Sequence, residues 1–238
     1  MKTVLLTNDD GIDAPGLSAL RELACNRFGE ENIWVVAPAE EMSQVGHQVT
    51  TGNPIRVDGR SERSFAIDGT PADCTRLALS EILPGKPDLV LSGINFGGNL
   101  GRHDFVISGT IAAAREAVFH GVAAISISNF HRAGVPFSWE KSSEMTAAVL
   151  DFYGESETPA PGEFWNVNLP HPDVGADEKA VIKLAHPERQ PLELLFELND
   201  SAPDSFRYAG RYHERPASPG SDVEVCFGGD IAVSVVSI

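Results

Sequence analysis

The chain opens on an apolar segment that runs directly into two acidic residues: Val4-Leu5-Leu6-Thr7-Asn8-Asp9-Asp10-Gly11. Val4–Leu6 is short, continuous and apolar, which is typical of a strand buried on both faces. A helix is predicted next over Pro15–Phe28, because its apolar residues share one face, proline is acceptable in the first turn and Gly29 follows. This strand–turn–helix unit indicates a parallel sheet covered by helices.

The same alternation continues through about the first 130 residues. Further strands are predicted at Ile33–Ala37, Leu89–Leu91 and Ala123–Ile127, a hairpin-like pair at about Ile55–Val57 and Phe65–Ile67, and helices at Pro71–Ile82 and Gly109–His120. Thr70 is the predicted N-cap of the helix that begins at Pro71. Continuous apolar strands between amphipathic helices predict an α/β fold, with a mostly parallel sheet between two helical layers.

The second half of the chain is less regular. A helix is predicted over residues 139–153, and the extended segments are Phe164–Leu169, Val181–Leu184, Leu192–Leu198, Asp222–Phe227 and Ile231–Val236. Between Asn199 and Ser221 the chain is polar and rich in proline and serine, which predicts a loop or arm containing Pro203, Pro216 and Pro219. We therefore expect a smaller, irregular, β-rich C-terminal part beside the core.

Net charge narrows the function classes. The 238 residues carry a formal net charge of -16, and so acidic a surface repels polynucleotides, whose binding requires lysine and arginine to displace counterions. A phosphorylated substrate would therefore be small, and its site would need a cation or oriented backbone amides. The charge also has a simpler interpretation, since it keeps a protein soluble whatever its function.

Cysteine usage and hydropathy bear on the compartment. Cys25, Cys74 and Cys226 are far apart and form no Cys-x-x-Cys pair, which argues against a disulfide framework and a thiolate zinc site. The apolar stretch at residues 1–6 is too short for the core of a signal peptide, and no apolar run approaches the length of a membrane span. These features predict a cytoplasmic protein without membrane segments.

Polar residues follow several predicted strands, and in an open parallel sheet ligands bind beyond the carboxyl ends of the strands. Asp9 and Asp10 follow the first strand, Ser43 lies in the loop after the second, and Asn95 follows the third. Adjacent carboxylates repel each other unless a cation neutralises them, and Mg²⁺ or Mn²⁺ suits carboxylate, hydroxyl and amide oxygens. Asn8–Gly11 is also a good turn sequence, but three converging strand ends favour a metal site.

A glycine-rich loop is predicted from Gly93 to Gly101, and the helix after it opens with Ser108-Gly109-Thr110. The loop has neither the lysine ending of a P-loop nor the glycine spacing of a dinucleotide site. Free backbone N–H groups and the dipole at the N-terminus of that helix suit a phosphate. Ser108 is equally a candidate for ordinary helix capping, so both interpretations of this serine stay open.

The histidines show no spacing typical of a zinc peptidase. His47 follows Gly46 in the loop after the second strand and is a candidate for contact with substrate. His103 lies in the glycine-rich segment and is a further candidate, whereas His120 at a helix C-terminus is explained by the helix dipole.

Together these motifs resemble those of the SurE family of 5'/3'-nucleotidases, in order and spacing over about residues 1–130. The shared segments are Leu6–Gly11 with Ala14–Gly16, Val36–Pro38, Ser43–Thr50, Asp68–Cys74, Lys86–Asn95, Asn99–Gly101, Ser108–Ala114 and, later, Asn166–Pro170. The chain departs from the family pattern at Ile107, where tyrosine is common, at Arg102–Asp104, and in the tail from Gly220.

The resemblance implies a single domain over residues 1–238. Residues 1–130 form its Rossmann-like core, which carries the site, and residues 131–238 form a C-terminal portion with an extended arm or hairpin for oligomerisation. It also implies one divalent metal ion per subunit, Mg²⁺ or Mn²⁺, held by Asp9, Asp10, Ser43 and Asn95. The implied reaction is hydrolysis of phosphomonoesters, chiefly nucleoside monophosphates and in some members polyphosphate, by homodimers or homotetramers.

Within this interpretation Asp9 and Asp10 are the catalytic residues. The attacking group is either water that one of them orients or one of the carboxylates itself. The substrate-binding candidates are Asn8, Gly46, His47, Asn95, Ser108, Gly109 and Thr110. Two other classes stay open: a non-catalytic nucleotide- or metabolite-binding protein on the same fold, and an interaction protein whose working part is the arm at residues 199–221.

Overall fold

The computed structural model describes residues 3–172, 179–199, 202 and 204–238, so residues 1–2 of the first segment and Pro203 of the predicted arm lie outside it. Its strands are β1 (Val4–Thr7), β2 (Ile33–Pro38), β3 (Val57–Ser61), β4 (Ser64–Ile67), β5 (Leu89–Phe96), β6 (Ala123–Asn129), β7 (Glu163–Leu169), β8 (Ile182–Leu184), β9 (Phe196–Leu198), β10 (Phe206–Tyr208) and β11 (Ile231–Ser237). Its helices are α1 (Pro15–Phe28), α2 (Pro71–Leu77), α3 (Gly101–Ile107), α4 (Gly109–Phe119), α5 (Trp139–Glu155) and α6 (Asp222–Phe227).

The predicted, mostly parallel sheet is confirmed. A 9-stranded sheet has the order β3-β4-β2-β1-β5-β6-β7-β11-β8, and every pairing from β4 to β7 is parallel. Only β3 on β4 and β11 on β7 are antiparallel in it, while β9 and β10 pair separately. Across the described ranges, no helix is long and apolar enough to cross a membrane.

Helices cover both faces of the sheet, which gives the predicted three layers. On one face α1 and α5 contribute the buried side chains Leu17, Leu20, Val149 and Leu150. On the other face α2, the helical turn that follows it and α4 contribute Cys74, Ala78, Ile111 and Ala117. β1 at the centre is buried on both sides, because each face of a parallel sheet must be shielded from water.

Two helix starts follow their predicted capping chemistry. The Thr70 hydroxyl accepts a hydrogen bond from the Asp73 N–H (3.2 Å), and the Asp73 carboxylate accepts one from the Thr70 N–H (3.1 Å), which completes a capping box at α2. The Ser108 hydroxyl accepts from the Ile111 N–H (3.1 Å) and caps α4. α2 then ends in a π-helical turn at Ala78–Ile82.

The region around the predicted glycine-rich loop is more ordered than its composition indicates. β5 continues to Phe96, so the first part of the predicted loop is strand, and α3 follows where no helix was predicted. The Asp104 carboxylate accepts a hydrogen bond from the Leu100 N–H (3.1 Å) at the start of α3, and Leu100 is fully buried. The loop prediction was wrong for Gly93–Phe96, which lie in β5, and is confirmed for Gly98–Leu100, which lie in no helix or strand.

Asp222–Phe227, predicted as extended, is helix α6, so that prediction was wrong. Valines alternating with acidic residues imitate a strand with one buried face. In the structure the Ser221 hydroxyl accepts from the Glu224 N–H (3.2 Å) and caps the helix. Val223 and Cys226, three residues apart, are both buried in a small core with Ala232 of β11.

The hairpin boundaries also differ from those predicted. β3 begins at Val57 and not at about Ile55, and all its residues are exposed. Only Phe196–Leu198 of the predicted segment Leu192–Leu198 is strand, and its partner β10 lies inside the predicted loop of residues 199–221. The C-terminal half also adds β7, β11 and β8 to the main sheet, so the core extends beyond residue 130.

The first turn of α1 packs unusually close to the end of β5. A Cβ added at Gly16 would lie 1.9 Å from the Ile94 carbonyl oxygen and 2.9 Å from the Trp139 ring. Because Ile94 directly precedes Asn95, the missing side chain at Gly16 allows the contact that fixes this strand end.

Replacing Gly16 by alanine is expected to lower the free energy of unfolding by about 1–3 kcal/mol, the usual cost of overpacking a filled core. Gly154→Ala is the matched control, since a Cβ in this part of α5 meets nothing within 4 Å. There alanine is expected to be neutral or to stabilise by up to about 1 kcal/mol. Urea unfolding monitored by circular dichroism measures both, and equal effects would contradict the close contact.

Candidate active site

The carboxyl ends of β1 and β5 lie side by side, since the two strands pair with Thr7 opposite Ser92. Asp10, three residues after β1 ends, accepts a hydrogen bond from the Phe96 N–H (3.0 Å) at the end of β5. The structure therefore brings Asp10 close to the backbone that carries Asn95. This proximity follows from parallel pairing of adjacent strands, as the sequence led us to expect.

Asp9 lies against the first turn of α4. Its carboxylate accepts a very short hydrogen bond from the Thr110 hydroxyl, and its side chain is almost fully buried. A Cβ added at Gly109 would lie 2.8 Å from the Asp9 Cβ and 3.0 Å from one carboxylate oxygen. Only glycine at position 109 therefore lets the helix N-terminus approach this carboxylate.

Burial governs the charge of both acids. Desolvation raises the pKa of Asp9 to about 7, and the charge of Asp10 adds to that effect, while the Thr110 hydrogen bond opposes it. Desolvation also raises the pKa of Asp10, with the Phe96 N–H opposing and the charge of Glu41 adding. The site therefore holds two carboxylates whose ionised forms lack sufficient compensation from the protein itself.

Two amide side chains, those of Asn8 and Asn95, lie beside these acids. The Asn8 amide group donates to the Gly11 carbonyl (2.8 Å), and the Asn8 Oδ1 is buried without a hydrogen-bond partner among the described residues. The Asn95 amide group donates to the Gly97 carbonyl (2.8 Å), which directs its nitrogen to the backbone. A buried amide oxygen without a donor is costly, so Asn8 has the character of a group that awaits a ligand.

The loop after β2 reaches the site through its backbone. The Met42 N–H donates to the Asp9 carbonyl oxygen (2.8 Å), which places Ser43 one residue from a direct contact with Asp9. The Ser43 side chain is exposed, and its hydroxyl donates to Glu41 (2.7 Å). The structure thus brings the backbone of Ser43 to the site, while its hydroxyl faces a neighbouring carboxylate.

Gly46 lies at the C-terminal end of α3, and His47 lies farther along α4. The Gly46 N–H donates to the Ile107 carbonyl (2.9 Å), and the His47 ring lies 2.6 Å from Glu116. Glu116 comes seven residues after Gly109, which is about 10 Å along a helix. The structure therefore groups His47 with Glu116 and not with Asp9.

A buried polar network, which the sequence did not predict, holds the segment after Asn95. The Asn99 N–H donates to the Asn168 side-chain oxygen (2.8 Å), and the Asn99 amide donates to the Ser128 hydroxyl (2.7 Å). The amides of Asn166 and Asn168 both donate to the Asn99 carbonyl (3.0 Å each). Two asparagines inside the otherwise apolar strand β7 are a signal that could have revealed this network.

A second unpredicted contact joins the C-terminal segment to α3. Arg215 forms a buried ion pair with Asp104 (2.8 Å) and donates to the Leu100 carbonyl (2.8 Å). The Tyr212 hydroxyl contacts the same Asp104 carboxylate and the Gly98 carbonyl, at 2.8 Å each. Residues more than 100 positions away in sequence thereby fix the backbone between Asn95 and α4.

The donor set near Asp9 fits a hard cation. In the described part of the chain, no group of three or more His, Cys, Asp or Glu side chains gathers where it could hold a metal ion. Two carboxylates of raised pKa, the unpartnered Asn8 oxygen and nearby amide and hydroxyl oxygens are ligands that Mg²⁺ and Mn²⁺ accept.

Comparison with known proteins matches residues 4–192 to the family described as "Survival protein SurE". A protein of Nostoc sp. named "Putative 5'-nucleotidase" is 44% identical over 236 residues, which cover 99% of this chain and 100% of that protein. The protein named "5'-nucleotidase SurE" from Paramagnetospirillum magneticum is 37% identical over 236 residues, which cover 97% of this chain and 88% of that one.

A solved structure agrees with these sequence relationships. The crystal structure of the SurE protein from Aquifex aeolicus matches with a TM-score of 0.84 and 31% sequence identity, over 98% of this chain and 92% of the other. The family match, the relatives and the fold thus extend over most of the chain. The protein belongs to the SurE family.

Proposed function

We propose that this protein is a divalent-cation-dependent phosphomonoesterase that releases phosphate from nucleoside monophosphates, and also acts on polyphosphate. The observation that carries the proposal is the Asp9 carboxylate, buried at a strand end against the N-terminal turn of α4. Relatives that carry the name 5'-nucleotidase support a nucleotide as the substrate. A non-catalytic nucleotide-binding protein is the alternative that the first experiment below separates.

In this proposal the phosphoryl group binds at the start of α4. The helix is 11 residues long, and its first N–H groups and dipole attract an anion. Gly109 and Thr110 supply this surface, and Ser108 holds the turn by capping it. On a protein of net charge -16, such a local anion site overcomes the general repulsion of phosphate.

Asp9, Asp10, Ser43 and Asn95 would hold the cation, with Asn8 beside them. A divalent cation supplies charge that offsets both the carboxylates and the negative charge of the phosphoryl transition state. The unpartnered Asn8 oxygen and the raised pKa of both acids support this assignment. For Ser43 to contribute, its hydroxyl would turn from Glu41 toward Asp9.

Asp10 is the better placed of the two acids to handle water. It is half-buried, and one carboxylate oxygen is held by the Phe96 N–H, which leaves Oδ1 to orient water and accept its proton. Asp9 is enclosed by Thr110 and Gly109, so we assign it the role of supplying negative charge to the cation and holding it in position.

We also propose that the protein is a homo-oligomer, a dimer or tetramer, that assembles through the β9–β10 hairpin. An isolated two-stranded hairpin is marginally stable, and exposed apolar patches mark interaction surfaces. The hairpin and its flank expose large apolar side chains to solvent: Leu194, Leu195, Phe196, Leu198, Phe206 and Tyr208. A second copy of the chain would cover them.

The three cysteines are free thiols, which fits a protein that acts in the reducing cytoplasm.

The purified protein is expected to release phosphate from 5'-AMP in the presence of Mg²⁺ or Mn²⁺, and to lose this activity in a chelator. Asp9→Asn is expected to lower kcat/KM by at least about 100-fold, because it removes charge that would hold the cation. Asp13→Asn removes the same charge from an exposed position four residues away and should leave the activity unchanged. A malachite-green assay of phosphate release from 5'- and 3'-nucleotides and polyphosphate measures the activity.

If 5'-AMP binds tightly but no phosphate appears with either cation, the protein is a binding protein and the enzymatic proposal fails. Near-normal, cation-dependent turnover by Asp9→Asn would instead refute the role given to Asp9.

Stability of the cation-free protein is expected to depend on pH through Asp9. Its folded-state pKa of about 7 lies above the ordinary aspartate value of 3.8, so the folded state keeps a proton that the unfolded state releases. The free energy of unfolding therefore falls as pH rises from about 4 to 7, by up to about 1.4 kcal/mol per pH unit, and stays low above 7. Asp10 acts in the same direction.

Thermal unfolding in chelator across pH 4–8 tests this. Asp9→Asn should show a smaller loss of stability than wild type over this range, because it has no proton to release. At pH 8, a cation at about 100 times its Kd should stabilise wild type by about 2.7 kcal/mol and leave Asp9→Asn nearly unchanged. Identical pH profiles for the two proteins would contradict the assigned titration.

Phe206→Asp is expected to lower the oligomeric mass, because a carboxylate in an apolar interface loses its hydration without a partner. Light scattering after size-exclusion chromatography measures the mass. Val57→Asp, at a separate exposed position on β3, is the control and should not alter the mass. A wild-type monomer, or an unchanged mass in Phe206→Asp, would contradict assembly through the hairpin.

A further inference from the structure

An aromatic ring stands at the edge of the candidate active site with almost half of its surface in solvent. Phe96 is 47% exposed. It follows Asn95 directly, and its own N–H is the donor to Asp10. Side chains of this size are usually buried, since leaving them in water forgoes roughly 1.5–3 kcal/mol. The exposure of Phe96 therefore requires an explanation. Because the ring lies next to the candidate active site, we look for that explanation in substrate binding.

The ring is held in place by other rings. His131, two residues after β6 ends, stacks on Phe96 with centroids 4.2 Å apart and planes 20° from parallel. Phe137 meets Phe96 edge-on at 5.0 Å, and Trp139 lies 6.0 Å away. Phe137 and Trp139 also contact each other at 4.8 Å. Such contacts fix the orientation of Phe96, so its exposed surface is a preformed platform.

The ring of His131, which stacks on Phe96, brings no charge to this contact. Burial lowers the pKa of His131, and the neighbouring His171 and His213 lower it further. His131 is therefore a neutral imidazole near pH 7, which stacks on Phe96 as a flat ring without bringing charge to the edge of the site. What the platform offers is a planar, weakly polar surface.

A nucleoside monophosphate has the two ends that this arrangement requires. Its phosphoryl group would lie at Asp9 and the first turn of α4, and its base lies one sugar away from that group. Phe96 is beside Asp10, on the backbone that directly follows Asn95. A flat ring next to the acids of the site suits the base of a nucleotide, whereas a phosphoester without a ring has no group to stack on it.

We propose that Phe96, supported by His131, stacks on the base of the nucleotide substrate and is a specificity-determining residue of this enzyme. This inference rests on the proposed function and names the feature by which the site would prefer nucleotides to other phosphomonoesters. Stacking tolerates every base because each has a flat face. Purines offer two fused rings, so they gain more from the platform than pyrimidines do.

Three substitutions separate a planar ring from apolar bulk. Phe96→Ala removes the ring, Phe96→Leu keeps an apolar side chain without a flat face, and Phe96→Trp keeps the plane. Leu184→Ala, an exposed apolar side chain on the distant strand β8, is the control. The substrates are 5'-AMP, 5'-CMP and ribose 5-phosphate, which carries the same sugar phosphate without a base.

In Phe96→Ala and Phe96→Leu, the KM for 5'-AMP is expected to rise on the order of tenfold, by less for 5'-CMP. kcat should be nearly unchanged, because the ring would bind the ground state and the transition state alike. For ribose 5-phosphate, the kcat and KM of both variants should match those of wild type. Phe96→Trp should have wild-type kinetics on 5'-AMP, and Leu184→Ala should leave kcat and KM unchanged on all three substrates. An unaltered KM for 5'-AMP in Phe96→Ala would overturn the proposal, as would an equal loss on ribose 5-phosphate.

Adenosine provides a readout that needs neither cation nor catalysis. Isothermal titration in chelator is expected to give a Kd for adenosine about tenfold weaker in Phe96→Ala than in wild type. Equal affinity in the two proteins overturns the platform even if phosphate release is normal. Weaker adenosine binding by Phe96→Ala in a protein that releases no phosphate supports the platform, while the phosphomonoesterase proposal alone fails.

Discussion

A carboxylate buried without sufficient compensating charge is the constraint on which the site depends. Asp9 is enclosed between the end of β1 and the first turn of α4, where a single hydroxyl, that of Thr110, contacts it as a side-chain donor. Removal from water disfavours the ionised form more than this contact restores it, so the pKa rises to about 7. A positive charge brought to this position would offset the unfavourable energy, which is the physical basis of the cation site that we propose.

Close packing of backbone makes this enclosure possible. Gly109 allows the helix to touch Asp9, and Gly16 allows α1 to touch the carbonyl of Ile94 just before Asn95. Each glycine lies where an added Cβ would overlap a neighbouring atom. The two helices therefore press on the ends of β1 and β5 from different sides, and small displacements of either would move the oxygen atoms that we assign to the cation.

Residues of the C-terminal half also hold the backbone of the site in place. Asn168 and Asn166 of β7 hold Asn99, and Arg215 with Tyr212 holds Asp104, so both ends of the segment between β5 and α4 are anchored from a distance. A buried ion pair is weak evidence for stability, but losing one partner leaves an unpaired charge. The aromatic rings after β6 complete this edge of the site next to Phe96.

The sequence by itself determined the buried parallel strands, the helix starts at Thr70 and Ser108, and the oxygen-bearing residues that follow the strands, because hydrophobic periodicity and capping are local properties. Only the tertiary structure decided that Gly101–Ile107 and Asp222–Phe227 are helices, that His47 pairs with Glu116, and that Phe96 stands exposed on His131. Each of these depends on contacts between residues far apart in the chain. Local pattern fixes what a segment can form, whereas burial and long-range partners fix which form it takes and what its side chains face.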